Sequence, residues 1–385
     1  MPTSKSKNFL YSLLFPLLSP AVNICDYASA DGKKPLNGEK LFSILNRYHI
    51  SGAAVRLQTQ EFYSDLFFRA VHTDTVPDGN TFFRVASITK MATALLSVRL
   101  MDMGILDPDA PLSELLPEGK KTDAIKGICF RHLLSHRSGL ADPPDLEALL
   151  LRKEPYTVAV SGCRRFQQDT AFLYSNLGYG LIGCVFESLL GMNLESVFQE
   201  YLFRPLKMNA TLEACSLPAD RIMPVSRLFR YRPGNSIRIT QLGRIPLRSP
   251  EPLYHYGHTA GSMYTDLASL NRLLTCIRDA GKPLLSSRYA GFMKQELSVY
   301  GKASPTLSYG SGLLVVRDPR ISDSILFGHQ GFAYGCVDGA FWEESTGNIL
   351  ISLNGGCSEA RSGRFGKANR DLCAWAFRKE LPEWR

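Results

Sequence analysis

Apolar and polar positions follow different periods in different parts of this chain. Leu41, Ile44 and Leu45 fall at helical spacing and predict a surface helix over 36–48. Gly52 to Leu57 reads as a strand, with Leu66 to Val71 as its hairpin partner. A third strand, Thr81 to Val85, leads into a helix-like run from Met91 to Met103. Asp107 to Pro111 is a helix-start cluster, and further helical segments follow at Arg131–Ser135 and Leu177–Leu190. Gly191 is placed to cap the second of these, and Thr265 to cap a helix over 266–279. Residues 211–257 are rich in Pro, Arg and Gly and give no clear period. After residue 310 short β-prone runs return at Ser311–Val316, Ile325–Phe327, Cys336–Trp342 and Ile349–Leu353. Glu344 to Asn348 reads as a hairpin turn, and Arg370 to Leu381 as a closing helix.

Strands at both ends with helices between predict one sheet built from the N- and C-terminal parts. The fold class expected is therefore α/β (α+β). An antiparallel sheet with flanking helices comes from about 37–90 and 285–385, and a mainly helical insert from about 91–284. A cleft between sheet and insert is the expected site.

Composition narrows the class without naming it. The chain has 385 residues, 21% charged and 45% hydrophobic, which is an ordinary globular balance. Its net charge of +8 is spread along the sequence with no basic run of five or more. That predicts a mildly basic surface suited to anionic surroundings such as a cell wall. No aromatic–basic platform is present, so nucleic acid is not an expected partner. Residues 1–30 read as an export signal. Lys5 and Lys7 precede an apolar stretch from Phe9 to Val22, and Ala28-Ser29-Ala30 has the form of a cleavage site. Pro16 and Pro20 interrupt that stretch, and Ile24 before Cys25 argues against a lipoprotein. Membrane association is expected through this segment alone, because no later apolar run is long enough to span. Cys129, Cys184, Cys276 and Cys373 sit among apolar neighbours and read as buried hydrophobes. No Cys/His spacing suits zinc and no nucleotide motif occurs, so no metal and no cofactor is expected.

Candidate chemistry centres on Ser87-Ile88-Thr89-Lys90. Serine and lysine three residues apart share one face of a helix start. A neutral lysine amine can take the proton of a serine hydroxyl, which is otherwise a poor nucleophile. Unpaired N–H groups in the first helical turn favour developing negative charge. Ser4 and Lys7 have the same spacing in a terminal segment, so spacing alone decides little. Tyr174-Ser175-Asn176 leads into a second helix. The phenol can ionise or relay protons near a lysine, and the amide can orient lysine and substrate. The same residues also fit a helix cap beside a packed aromatic. His329-Gln330-Gly331, at a predicted strand end, offers a donor for a substrate carbonyl or carboxylate. It also offers a glycine that permits close backbone approach. His255-Tyr256-Gly257 fits that pattern too. The strand-turn-strand surroundings favour His329.

The order Ser-x-x-Lys, Tyr-x-Asn, His-x-Gly resembles the serine β-lactamase-like superfamily. This group holds class C β-lactamases, low-molecular-weight penicillin-binding proteins, D-aminopeptidases and family VIII esterases. Phe83 to Lys90, Arg131 to Leu140, the Tyr174 segment, Gly261 to Ala268 and Gly328 to Gly335 carry the likeness, across roughly 37–380. The resemblance implies a β-lactamase/transpeptidase-like serine hydrolase domain over 31–385 that works through an acyl-enzyme. It implies Ser87 as nucleophile, Lys90 as base and Tyr174 sharing the proton traffic. Asn176 would hold the substrate amide, and the N–H groups of Ser87 and Phe332 would form the oxyanion hole. His329 and Gly331 would line the substrate side, and the expected partner is a small molecule or peptide, cell-wall derived or otherwise. Arg131 to Leu140, with His136, is expected to be structural. The β-lactamases carry Lys-Thr-Gly where this chain has His329-Gln330-Gly331. A neutral imidazole grips a carboxylate less firmly than an ammonium, which favours esterase or peptidase over true β-lactamase. A penicillin-binding sensor without turnover is a third reading.

Overall fold

The computed structural model describes residues 24–29, 38–61, 63–70, 75–225, 237–301 and 304–378. The candidate export segment lies outside the described residues, except for Ile24–Ser29. That stretch forms strand β1, and it pairs with β3 (Tyr63–Ala70). Between them in sequence come helix α1 (Gly38–Arg47) and strand β2 (Gly52–Gln58).

The C-terminal part supplies six further strands of the main sheet. They are β7 (Ser298–Val299), β8 (Leu307–Tyr309), β9 (Leu314–Val316), β10 (Leu326–Ala333), β11 (Cys336–Glu343) and β12 (Ile349–Asn354). The nine strands run in the order β1-β3-β2-β12-β11-β10-β9-β8-β7. Every pairing between neighbours is antiparallel, and β2 joins β12 through Val55 opposite Ser352. The sheet is thus assembled from both ends of the chain, as the returning β-prone texture predicts.

Both faces of the sheet are buried, which explains why its central strands read as continuous apolar runs. Side chains alternate between two cores. Leu350 and Phe341 pack with α1 residues Leu41 and Leu45 and with Trp375 of the closing helix α5 (Lys367–Phe377). Ile349, Ile351 and Trp342 face the larger core with α2 (Thr89–Asp102) and α4 (Leu267–Arg278). Helix α2 is buried on nearly every side, so its apolar residues show no stripe.

Three expectations are corrected. The run before Ser87 does not join the main sheet. Only Phe83–Arg84 is extended (β4), and it belongs to a separate three-stranded sheet with β5 (Ala210–Thr211) and β6 (Tyr264–Thr265). Asp266, not Thr265, caps α4, because its carboxylate accepts from the Ser269 N–H at 2.7 Å. Strand β10 runs through His329-Gln330-Gly331 to Ala333, so the histidine lies inside a strand and not at its end. Pairing with β11 along the whole length holds that extension.

Helix α3 (Asn176–Leu190) starts at the Ser175 cap, which accepts from the Gly178 N–H, and ends at Gly191 in the left-handed conformation. A Cβ at Gly180 would stand 1.6 Å from the Tyr256 carbonyl oxygen, so α3 rests directly on the backbone of that segment. Gly180→Val is expected to cost about 3 kcal/mol of stability through forced separation. A denaturant midpoint unchanged from wild type would contradict this packing.

Candidate active site

Ser87 sits in a strained turn. Ala86 has a φ of 47°, unusual for a residue with a side chain, and a 3-10 turn (Ala86–Ile88) precedes α2. Thr89 pins the turn: its hydroxyl donates to the Ala86 carbonyl (2.6 Å) and accepts from the Met263 N–H (3.1 Å). Strand β10 runs close alongside, since a Cβ at Gly331 would lie 2.3 Å from the Val85 carbonyl oxygen. Glycine at 331 therefore lets the backbone around Phe332 approach Ser87. The Ser87 N–H lies at the start of the turn, among the groups a helix leaves unpaired.

Lys90 is fully buried. Its Nζ lies 3.3 Å from Ser87 Oγ, 2.9 Å from Asn176 Oδ1 and 2.7 Å from the Ala260 carbonyl oxygen. The last two partners accept only, so they occupy the two hydrogens of a neutral amine. The nitrogen lone pair is then left for the Ser87 hydroxyl. Burial lowers the Lys90 pKa to about 7; Asp142 opposes the shift and Arg84 adds to it. A charged ammonium and a neutral amine are thus both accessible near neutral pH.

Asp142 organises this end of the site and is not marked in the sequence by any motif. Its carboxylate accepts from Asn176 Nδ2 (2.8 Å), the Leu177 N–H (2.8 Å) and the Ser175 hydroxyl (3.2 Å). That fixes the Asn176 amide with its oxygen toward Lys90. Asp142→Asn is expected to move the rising limb of the pH–rate profile to lower pH. Loss of a carboxylate that raises the Lys90 pKa lets the amine deprotonate sooner. A limb that stays in place would count against this coupling.

Tyr174 lines the same cavity as Ser87, and its ring centroid lies 4.8 Å from Lys90 Nζ. Burial raises the phenol above its ordinary pKa, against the opposing influence of the Ser87 hydroxyl and the Arg361 charge. The resting group is a neutral O–H donor, not a phenolate. His136 packs behind it at 4.4 Å between ring centroids and accepts from the Ser175 N–H (3.1 Å). Its part is to position the Tyr174 segment.

His329 is buried and neutral, with its pKa lowered to about 3, chiefly by burial and further by Lys90. Its Nδ1–H donates to the Gln330 carbonyl oxygen (2.7 Å), and its Nε2 accepts from the Tyr309 hydroxyl (3.1 Å). The ring lines the cavity, yet both nitrogens are used within the protein. The expected donation to substrate therefore has no free N–H behind it. His255 is held elsewhere, by Glu187 at 2.8 Å inside the helical part.

Two cavities meet at Ser87, and Asn176 and Phe332 line both. The first, of about 400 Å³, adds Tyr174, Tyr300, His329, Gln330, Arg361 and Arg364. The second, of about 380 Å³, adds Arg84, Asp142, Leu146, Glu147, Ser262 and Tyr334. A serine at such a waist can face an acyl group on one side and a leaving group on the other. Among the described residues eight cysteines are free thiols, and Cys129 is half-buried rather than buried. Among those residues no single helix is long and apolar enough to cross a membrane.

An antiparallel sheet with a helical insert and this site defines a β-lactamase/transpeptidase-like fold. The Beta-lactamase family pattern matches residues 39–341, and the chain belongs to that family. Penicillin-binding protein 4 of Amycolatopsis lactamdurans is 26% identical over 227 residues, 56% of this chain and 54% of that relative. The chain thus spans about half of that relative's length. Esterase EstB of Burkholderia gladioli is 27% identical over 328 residues, 76% of this chain and 82% of that one. Among solved structures, the D-amino acid amidase from Ochrobactrum anthropi SV3 superposes with a TM-score of 0.67 at 20% identity. It covers 88% of this chain and 96% of its own.

Proposed function

We propose that this chain is a serine hydrolase acting through an acyl-enzyme on an ester, an amide or a D-amino-acid peptide. The observation that carries the reading is the buried Lys90 amine, with its two other partners being acceptors and the Ser87 hydroxyl third. Ser87 Oγ attacks the carbonyl carbon as its proton passes to Lys90 Nζ. The carbonyl oxygen becomes an oxyanion facing the N–H groups of Ser87 and Phe332. The leaving group takes a proton through the Tyr174 hydroxyl and departs, leaving acyl-Ser87. Water then attacks the acyl carbon, its proton goes to the same relay, and Ser87 is released with a carboxylic acid product.

Relatives named as an esterase and a penicillin-binding protein, and a fold neighbour named as a D-amino acid amidase, support this class. A true β-lactamase is the second reading, favoured by the family match itself. His329 in place of an ammonium weighs against it. The N-terminal pattern of Lys5, Lys7, the apolar stretch and Ala28-Ser29-Ala30 supports export. Cleavage after Ala30 would remove β1 and leave β3 at the sheet edge. Sequencing the N-terminus of the exported protein tests this.

The deciding experiment is a turnover screen across a p-nitrophenyl ester, a D-alanyl amide and a chromogenic cephalosporin, with mass analysis of trapped acyl-protein. Ester or D-amide turnover with the adduct on the Ser87 peptide is expected. An adduct on another serine, or none from well-folded protein, sinks the reading. Fast loss of a penicillin adduct with cephalosporin turnover would select the β-lactamase. Because the base must be neutral, kcat/KM is expected to rise with pH through about 7 and then level off. A profile falling over that range would contradict Lys90 as base.

A further inference from the structure

Gln330 is bulkier than the residue the family pattern favours, and the structure gives that bulk a task. Its amide nitrogen donates to the Arg364 carbonyl oxygen (2.7 Å), and its Oε1 accepts from the Gly366 N–H (3.0 Å). These two bonds fasten a small hairpin, β13 (Arg361–Ser362) with β14 (Phe365–Gly366), to the strand beside Ser87. The hairpin carries two arginines into the wall of the first cavity. The Arg361 guanidinium stacks on the Phe332 ring, 4.1 Å from its centroid. Among the described residues neither arginine side chain makes a hydrogen bond or ion pair. Glu359, the acid whose charge acts on Arg361, has an oxygen accepting from the Gly335 N–H (2.7 Å). Stacking leaves the edge of the guanidinium fork free, which is the geometry that grips a carboxylate with two hydrogen bonds.

We infer that Arg361, with Arg364 beside it, forms an anion subsite of the Ser87 cavity, and that the preferred substrates carry a carboxylate on the half they place there. Gln330 is a positioning residue for this subsite. The inference rests on the hydrolase reading above and adds the substrate's charge. The neutral, internally bonded His329 cannot supply that charge complement, so the hairpin supplies it from a different part of the chain. The charged groups that act on Arg361 are Arg364 and Glu359, and the phenols of Tyr174 and Tyr300 beside it are neutral. They leave the cavity with an excess of positive charge that an incoming anion offsets.

The test compares kcat/KM for esters that differ only in charge. One pair is the p-nitrophenyl hemiester of glutaric acid against p-nitrophenyl valerate. The other is 3-carboxyphenyl butyrate against phenyl butyrate. In one pair the anionic ester is expected to win by about 10- to 100-fold, the range of a charge-assisted contact. Raised salt should shrink that ratio. Arg361→Gln should collapse it and Arg361→Lys should keep part of it. Gln330→Ala should lower it too, by loosening the hairpin. If both pairs turn over through a Ser87 adduct with ratios of one or less, the anion subsite is wrong and the hydrolase reading stands. A ratio that survives Arg361→Gln in folded protein also overturns it. If no ester yields a Ser87 adduct, both readings fail together.

Discussion

Lys90→Ala is expected to slow acylation of an amide or ester by about 1,000-fold or more. The base is lost, and the Asn176 and Ala260 oxygens that steered it are left unpaired. Lys90→Met separates chemistry from folding, because it keeps most of the volume. A lysine whose pKa is lower in the folded than in the unfolded chain makes stability rise with pH between the two values. Here that window runs from about 7 to the ordinary 10.5, since only the unfolded chain holds the proton there. Wild type should therefore gain stability across this window relative to Lys90→Met. Denaturant melts of both proteins at several pH values measure it. Parallel curves, or wild-type acylation by Lys90→Ala, would refute the buried amine as the base.

Tyr174→Phe is expected to lower turnover by about 100- to 10,000-fold with the melting curve preserved. Its ring contacts with His136 and Lys90 remain, and only the hydroxyl at Ser87 is removed. The loss should depend on the leaving group. An amide nitrogen must be protonated as it departs, whereas p-nitrophenolate need not be. A neutral phenol therefore predicts a larger defect for amides than for activated esters. Equal defects for both would assign Tyr174 to positioning and not to proton delivery.

Much of the site is visible along the chain because its pieces are local. Ser87 and Lys90 face one another through one turn of backbone, and that geometry belongs to the spacing. Ser175 and Gly191 mark the ends of α3 through their own conformational preferences. The short apolar run Ile349 to Leu353 marks a strand, although not which strands flank it. Other parts are not local. Asp142 reaches Asn176 across 34 positions, and Gln330 reaches Arg364 and Gly366 across 34 and 36. Asn176 and Gln330 stand in visible motifs, but nothing in the residue types of Asp142, Arg364 or Gly366 marks them as their partners. The misplaced β4 has the same cause, since an extended run does not say which sheet will accept it.

By itself the sequence determined the chemical repertoire: a serine, an amine one turn away, a phenol with an amide and a glycine-bearing strand. Backbone geometry at short range is enough for that. Tertiary packing alone decided the protonation states and the free valences. Burial makes Lys90 a base near pH 7 and keeps Tyr174 protonated. Tyr309 and the Gln330 carbonyl absorb both nitrogens of His329, while the Arg361 guanidinium keeps its hydrogen-bonding edge open. Desolvation and hydrogen-bond saturation depend on neighbours brought together by folding, and distance along the chain carries no record of them.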